Sequence, residues 1–181
     1  MAEKKVLIVY ATRYGSTRIV AGDIQEFLQD KDCDVEVVDL GKERFSGNLM
    51  DFDLVIAGSS VAMFHWKRTV KKFLGKVRRA GISAVVYVCC GTAIASPEKA
   101  RSRYLDRIID RIGLNPVLSQ PISPVIDFRP EQGLPIKLKK RIRGVIQGMA
   151  KERFLENGLM DFRNKTRFTG FLDSILDTLK S

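Results

Sequence analysis

The feature that most constrains the fold is a set of short apolar runs that lack the alternation of a half-exposed strand. Leu54-Val55-Ile56-Ala57, within a predicted strand over Asp53–Gly58, is the clearest case, and Ser83–Cys90 is almost as uniformly apolar. Strands that are apolar at every position are buried on both faces, as in a parallel sheet that lies between two layers of helices. The chain is therefore predicted to belong to the α/β class.

Stretches with helical spacing of apolar residues separate the predicted strands. The strands are predicted over Lys4–Tyr10, Val35–Leu40, Asp53–Gly58, Ser83–Cys90 and Val117–Ile126, the last broken by Pro121 and Pro124. The helices are predicted over Ser16–Asp30, Trp66–Arg79, Pro97–Ile112 with Gly113 as the stop, and Lys165–Lys180. This alternation predicts a doubly wound three-layer sandwich. A length of 181 residues is typical of one domain, so residues 1–181 are predicted to form a single domain.

Residues 127–164 depart from this rhythm and are predicted to be a helical insert before the last helix. Within them, Leu134–Phe154 has apolar residues at helical spacing surrounded by lysines and arginines. Such a basic helix can lie on an anionic membrane surface. It can equally dock on its own domain with a solvated basic face, and Gly144 and Gly148 interrupt its apolar stripe. Both alternatives stay open.

Composition excludes some classes of function and favours others. A net charge of +10 favours an anionic partner, although basic housekeeping domains are also common. Three cysteines cannot form a paired framework, and no cysteine or histidine cluster has zinc spacing, so we expect no metal site. No run approaches the roughly 20 apolar residues of a membrane span. We expect a cytoplasmic protein.

Three polar segments follow predicted strands, at the carboxyl edge where open α/β sheets bind their ligands. They are Thr12–Thr17, Ser59–Trp66 and Cys90–Ser96. The first combines hydroxyl groups, one glycine and the start of a helix, and such a loop offers the donors that bind a phosphate group. The alternative is a simple helix N-cap. The loop has neither the Walker A pattern nor the GxGxxG fingerprint, which disfavours ATP and dinucleotides.

The order of these segments carries a family resemblance. "TRYGST" follows the first strand, "AGSSVAMFHWKRTVKKFL" spans the end of the third strand and the next helix, and a Gly-Thr loop follows the fourth strand. Together they resemble the flavodoxin family, and more closely its branch of menaquinone-dependent protoporphyrinogen oxidases. The resemblance implies a flavodoxin-like three-layer sandwich with a five-stranded parallel sheet of order 2-1-3-4-5.

The resemblance also implies FMN as the cofactor. The residues implied around its phosphate are Thr12, Arg13, Tyr14, Gly15, Ser16 and Thr17. Those implied beside the isoalloxazine ring are Ser60, Val61, Ala62, Met63, Phe64, Gly91, Thr92 and Ala93. Arg13 and Tyr14 depart from ordinary flavodoxins and match the oxidase branch better.

The implied function is an FMN-dependent oxidoreductase that oxidises protoporphyrinogen or a related reduced tetrapyrrole and passes the electrons to a quinone. The alternative is an electron carrier between protein partners, and a third hypothesis is a flavin-free interaction domain. We therefore expect a small redox substrate or an electron-transfer protein as partner, and no nucleic acid. If the helix at 134–154 contacts lipid, it would meet the lipid-soluble quinone there, and the protein is peripheral to the inner face of the membrane.

Five side chains in or next to the second and third segments are candidates for a role at the site or in the core. His65, the only histidine, is the candidate catalytic residue because its ordinary pKa suits proton transfer, or it is a plain loop residue. Cys89 and Cys90 are either redox-active thiols or small buried hydrophobic residues. Phe64 is predicted to lie nearer the flavin, and Trp66 is predicted to pack in the core.

Overall fold

The strands of the sheet correspond closely to the predicted apolar runs. The computed structural model describes residues 4–62, 64–127 and 159–180. The strands are β1 (Lys5–Ala11), β2 (Asp34–Asp39), β3 (Leu54–Ala62), β4 (His65–Trp66), β5 (Ala84–Cys89), β6 (Leu118–Ile122), β7 (Val125–Asp127) and β8 (Leu159–Asp161). All residues of β5 are buried, as a strand between two helical layers requires.

The main sheet has the order β2-β1-β3-β5-β6 with parallel pairing throughout this path. β4 lies off the path and pairs with β3 in an antiparallel hairpin. Without that hairpin strand, the order is the predicted 2-1-3-4-5. The prediction of a flavodoxin-like α/β fold is therefore confirmed.

The helices also begin and end close to their predicted limits. They are α1 (Ser16–Gln29), α2 (Arg68–Ala80), α3 (Thr92–Ala95), α4 (Pro97–Ala100), α5 (Arg107–Ile112) and α6 (Lys165–Lys180), with a short 3-10 turn at Leu49–Asp51. The predicted helix over Pro97–Ile112 is α4, a π-helical segment over Arg101–Asp106 and α5 in succession. Gly113 ends it in the left-handed conformation, with a φ of 68°.

Two apolar cores cover the two faces of the sheet. On one face, α2, the π-helical segment and α5 pack on the sheet through residues such as Phe73, Leu74 and Leu105. On the other face, α1 and α6 pack through residues such as Ile24 and Ile175. The layers are thus those of the predicted sandwich.

The chain after β6 differs from its prediction. Pro121 lies within β6, where it is tolerated because β6 is an edge strand and need not donate a hydrogen bond on its open side. The break comes at Ser123–Pro124, and β7 then leaves the main sheet to pair antiparallel with β8. Leu159–Asp161 is consequently a strand, which corrects the prediction of a wholly helical insert. The helix predicted over 134–154 lies outside the described residues.

Candidate functional site

The loop from Thr12 to Gly15 joins β1 to α1 and presents the open start of a helix. Gly15 has a φ of 87°, a conformation that favours glycine, and no side chain of the described residues caps α1. The Gly15 N–H donates to Thr12 Oγ1 over 3.0 Å, which folds the loop tightly. Because helix N–H groups in the first turn have no intrahelical acceptor, those of Ser16 and Thr17 remain available for an anion.

The three hydroxyl groups of the loop are also suited to an anion. Thr12 Oγ1 accepts from Gly15, and Ser16 Oγ accepts the Val125 N–H over 3.1 Å, so each hydroxyl keeps its hydrogen to donate. Thr17 is fully buried, and its Oγ1 has no hydrogen bond of normal geometry among the described residues; the polar group on which it acts there is the Cys89 thiol, whose pKa it lowers. Because burial keeps that thiol protonated, it is a poor acceptor for the Thr17 hydroxyl. A buried hydroxyl without a partner is costly, and a bound phosphate group would satisfy it. The residues present therefore fit the phosphate of FMN.

Positive side chains border this loop. Arg13 is exposed in the loop itself, next to the neutral side chain of Tyr14, which is 37% exposed. The guanidinium Nη2 of Arg18 lies 3.7 Å from the position that a Cβ on Gly15 would occupy. The sequence analysis missed Arg18; the available signal was a cation in the first turn of the helix that follows the loop.

The second predicted segment is a β-hairpin rather than a loop. β3 continues beyond Gly58 through Ala62, and β4 returns beside it, with Val61 opposite Trp66 and Ala62 opposite His65. Ser59 Oγ holds the hairpin base by accepting the Lys67 N–H over 3.1 Å. Ser60 Oγ is buried without a partner among the described residues. Met63 lies outside the described residues.

Aromatic contacts fix the hairpin to the π-helical segment. Phe64, at a φ of 67° and 64% exposed, stacks on Tyr104 with ring centroids 6.4 Å apart. The Arg103 guanidinium carbon lies 4.6 Å from the centroid of the Phe64 ring. Trp66 is buried and its Nε1 donates to the Tyr104 carbonyl oxygen over 2.6 Å. Trp66 thus has the packing position predicted for it.

His65 is exposed on β4 between these two aromatic residues. Its imidazole ring forms no hydrogen bond with any residue that the structure describes, whereas its backbone belongs to the β3–β4 pairing. Its catalytic role therefore stays a prediction.

The third segment is a single helical turn. α3 begins immediately after Gly91, and the Ala93 N–H donates to the Cys90 carbonyl oxygen over 3.2 Å. Gly91 is exposed, Thr92 is half-buried and Ala93 is buried. Within the sheet, Ala11 lies opposite Ser59, and Ser60 lies opposite Cys89. The three predicted segments therefore start side by side at the carboxyl edge of the sheet.

The two cysteines at the end of β5 face opposite cores, Cys89 toward α1 and α6 and Cys90 toward α2. Burial raises the pKa of the Cys89 thiol to about 12, against the lowering effect of the Ser16 and Thr17 hydroxyls. Burial also raises the pKa of Cys90. A redox-active thiol needs its thiolate form, so these values favour the interpretation as small hydrophobic residues.

A cavity of about 230 Å³ lies next to the third segment rather than at the first. Ala93 is the one predicted cofactor residue that lines it; Gln120, Arg163, Arg167 and Phe168 line its other sides. Arg163 forms ion pairs with Asp23 and Asp161, which anchor the start of α6 to α1 and β8. Burial alone would lower the pKa of Arg163, but the hydrogen bonds to these two carboxylates outweigh it and raise that pKa.

Residues 4–62, 64–127 and 159–180 contain neither a cluster of metal ligands nor a membrane-spanning helix. No group of three or more potential metal ligands comes together there. No helix in these ranges is both long enough and apolar enough to cross a bilayer.

The sequence profile described as "Flavodoxin domain" matches residues 7–119, more than half of the chain. Flavodoxin domains bind FMN and transfer electrons to protein partners. The prediction that the cofactor is FMN is thus confirmed by the domain family to which the profile belongs. A search of curated proteins finds no match.

Solved structures with the same fold include flavodoxins and a larger enzyme. Oxidised flavodoxin 1 from Bacillus cereus is 16% identical, with a TM-score of 0.50 over 81% of this chain and 100% of that chain. A cysteine-to-serine mutant of flavodoxin from Pseudomonas aeruginosa is 12% identical, with a TM-score of 0.55 over 98% of this chain and 99% of that chain. Rubredoxin oxygen:oxidoreductase from Desulfovibrio gigas is 17% identical, with a TM-score of 0.50 over 80% of this chain and 35% of that chain. At these identities the likeness concerns the fold alone.

Proposed function

Because this chain belongs to the flavodoxin domain family, we propose that it is an FMN-dependent oxidoreductase whose phosphate site is the loop between β1 and α1. FMN, when bound, supplies one- and two-electron chemistry. The residues proposed to hold its phosphate are Thr12, Arg13, Tyr14, Gly15, Ser16 and Thr17. Those proposed to flank its ring are Ser60 to Phe64 in the hairpin and Gly91 to Ala93 at the start of α3.

Two features of the described residues carry this proposal: no side chain among them caps the start of α1, and the buried Thr17 hydroxyl in the first turn has no hydrogen bond of normal geometry to any of them. Backbone N–H groups, hydroxyl hydrogens and the positive end of the helix dipole all favour an anion at this position. Arg18 adds a positive side chain beside Gly15. Each of these groups orients the phosphate and thereby the rest of the cofactor.

Replacing Thr17 with valine tests the phosphate site. Thr17→Val keeps a side chain of similar size but removes the hydroxyl, so FMN is expected to bind about 10- to 100-fold more weakly, since hydrogen bonds to charged groups contribute about 1.5–3 kcal/mol. The apoprotein is expected to keep its thermal stability, because the lost hydroxyl has no hydrogen bond of normal geometry among the described residues. Fluorescence titration with FMN and thermal unfolding of the apoprotein measure the two effects.

Thr169→Val is the matched control, because it removes the same hydroxyl from an exposed position on α6. It is expected to leave FMN affinity unchanged. Unchanged affinity in Thr17→Val as well would contradict the phosphate site.

The substrates proposed for the enzyme are a reduced tetrapyrrole as electron donor and a quinone as acceptor. This proposal is supported by the resemblance of "TRYGST" and of the segment through His65 and Trp66 to the oxidase branch. Under anaerobic conditions, FMN-loaded protein is expected to oxidise protoporphyrinogen only when a soluble quinone analogue is present. The same protein without FMN is the control, and absorbance of the porphyrin product is the measurement.

The alternative function, an electron carrier between proteins, is favoured by one observation of its own. Phe64 is exposed beside the predicted flavin site, and Arg103 covers one of its faces. Exposed aromatic residues and arginines are enriched in protein interfaces. FMN-loaded protein that fails to oxidise protoporphyrinogen would favour the carrier.

Contact with a membrane or a quinone through residues 134–154 stays a prediction. Sedimentation with anionic vesicles at low salt is its test, and absence of binding would contradict it.

A further inference from the structure

Positive charge is concentrated on one of the two helical layers. Residues 67–80 and 101–112, which contain α2, the π-helical segment and α5, contain eleven lysines and arginines against two carboxylates. On the opposite layer, α1 and α6 together contain four of each. The layer that packs beside the hairpin is therefore strongly basic, whereas the other layer is balanced.

The exposed cations of α2 are placed where they weaken the helix. Arg68, Lys72 and Lys76 follow one another at four-residue spacing, so neighbouring like charges repel. Lys67 and Arg68 stand at the start of α2, where the helix dipole is already positive, and its first turn has no acidic residue. Helix stability does not explain this arrangement.

These cations are also available to a partner. Arg68, Lys72 and Lys76 are exposed, and none of them forms an ion pair with a carboxylate of the described residues. We define the basic face as Arg68, Lys72, Lys76 and Arg79 of α2 with Arg103 and Arg107 of the neighbouring segment.

The basic face continues directly into the hairpin of the proposed flavin site. α2 follows the hairpin after a single residue, Lys67, whose N–H donates to Ser59 Oγ. Arg103 lies against the exposed ring of Phe64, 4.6 Å from its centroid. A macromolecule on the basic face would therefore also contact the hairpin.

We propose that the basic face is the docking surface for an acidic one-electron redox protein of the ferredoxin type. The proposal rests on the proposed FMN-dependent function, because the partner must exchange electrons with the cofactor held beside the hairpin. Complementary charges steer such an encounter and fix its orientation. A bilayer fits less well, since the apolar residues of α2 are buried, Val70 and Leu74 completely, and leave no apolar face to insert. A nucleic acid has no redox centre to offer.

The test uses the full-length, FMN-loaded protein and an acidic [2Fe–2S] ferredoxin as the probe. The triple variant Arg68→Gln, Lys72→Gln, Lys76→Gln removes three charges and keeps good helix formers. The control variant Lys31→Gln, Lys165→Gln, Lys180→Gln removes three exposed charges from the opposite side of the sheet. Calorimetry at low and high salt measures the dissociation constant for oxidised ferredoxin.

We expect the α2 variant to bind ferredoxin at least about tenfold more weakly at low salt, with the difference lost at high salt, and the control to bind within about twofold of wild type. The melting temperature of the α2 variant is expected to rise, because like-charge repulsion in α2 is relieved. Stopped-flow mixing with reduced ferredoxin is the second measurement. Two ferredoxins each lose one electron, and these electrons with two protons reduce one bound FMN, at a rate that should fall in the α2 variant alone.

Equal effects of the two variants, or no binding of ferredoxin by the wild type, would overturn the proposal. So would tighter binding of anionic vesicles or duplex DNA that depends on the same three side chains. A wild-type protein that takes up no FMN contradicts the proposed function instead, and flavin absorbance of the samples distinguishes the two failures.

Discussion

Gly58 of β3 occupies a position where no side chain fits. A Cβ placed there would lie 2.1 Å from Cζ and 2.3 Å from the hydroxyl oxygen of Tyr87. Tyr87 is completely buried, and its hydroxyl donates to the Thr17 carbonyl oxygen over 3.2 Å. The missing side chain of Gly58 thus makes room for the ring that supports the start of α1 and its proposed phosphate site.

Gly58→Ala is therefore expected to lower the free energy of unfolding by about 1–3 kcal/mol, the usual effect of overpacking a core. Gly75→Ala is the matched control, because a Cβ at Gly75 in α2 meets no atom within 4 Å outside its own helix backbone and neighbours. Gly75→Ala is expected to raise the free energy of unfolding by about 0.5–1 kcal/mol, since alanine is the better helix former. Urea denaturation of both variants measures the difference, and shifts of the same sign would contradict this account.

At the scale of elements, the sequence predicted the strands and helices whose residues follow a local apolar pattern. β1 and β5 are apolar at nearly every position, and β3 is apolar from Leu54 to Ala57, because both faces are buried there. α6 has its full helical period and its predicted ends. The hairpin of β3 and β4 was missed. β4 has two residues, and its contacts with Tyr104 join positions 38 apart in the chain. The pairing of β7 with β8 was missed for the same reason, because it joins residues that are similarly far apart in the chain.

The same limit applies to the proposed site. The hydroxyl residues of the loop could be found by type and position, because helix starts that bind anions use such donors. Which hydroxyl is buried could not be predicted, since the burial of Thr17 depends on Tyr87 and on packing between the layers. The side of the sheet on which each cysteine lies follows from strand alternation, but the rise of its pKa comes chiefly from burial, which outweighs the lowering effect of neighbouring hydrogen-bond donors.

For the molecule as a whole, alkaline pH is the condition that opposes folding. Burial raises the pKa values of Tyr10, Tyr87, Cys89 and Cys90 above their ordinary values. For Tyr10, the neighbouring carboxylate of Asp39 acts in the same direction. Each of these groups stays protonated in the folded chain at a pH where the unfolded chain releases its proton.

The free energy of unfolding is accordingly expected to fall as pH rises from 9.0, the ordinary pKa of a cysteine, toward 12, the pKa of folded Cys89. The unfolded state binds fewer protons in this window, so stability decreases with pH. Cys89→Ala removes one such group and should reduce the slope by up to about 1.4 kcal/mol per pH unit. Urea denaturation at several pH values above about 8 measures both slopes. Identical slopes in the variant and the wild type would show that Cys89 titrates normally.

Trp66 is the only tryptophan of the chain, and it lies buried in the hairpin with its indole N–H on the Tyr104 carbonyl oxygen. All tryptophan emission of the protein therefore comes from one known point beside the proposed flavin site. The buried position of the ring is expected to shift that emission toward the blue, and a flavin bound at the proposed site would quench it by energy transfer. The protein thus contains its own optical probe of cofactor occupancy, placed by the fold and requiring no label.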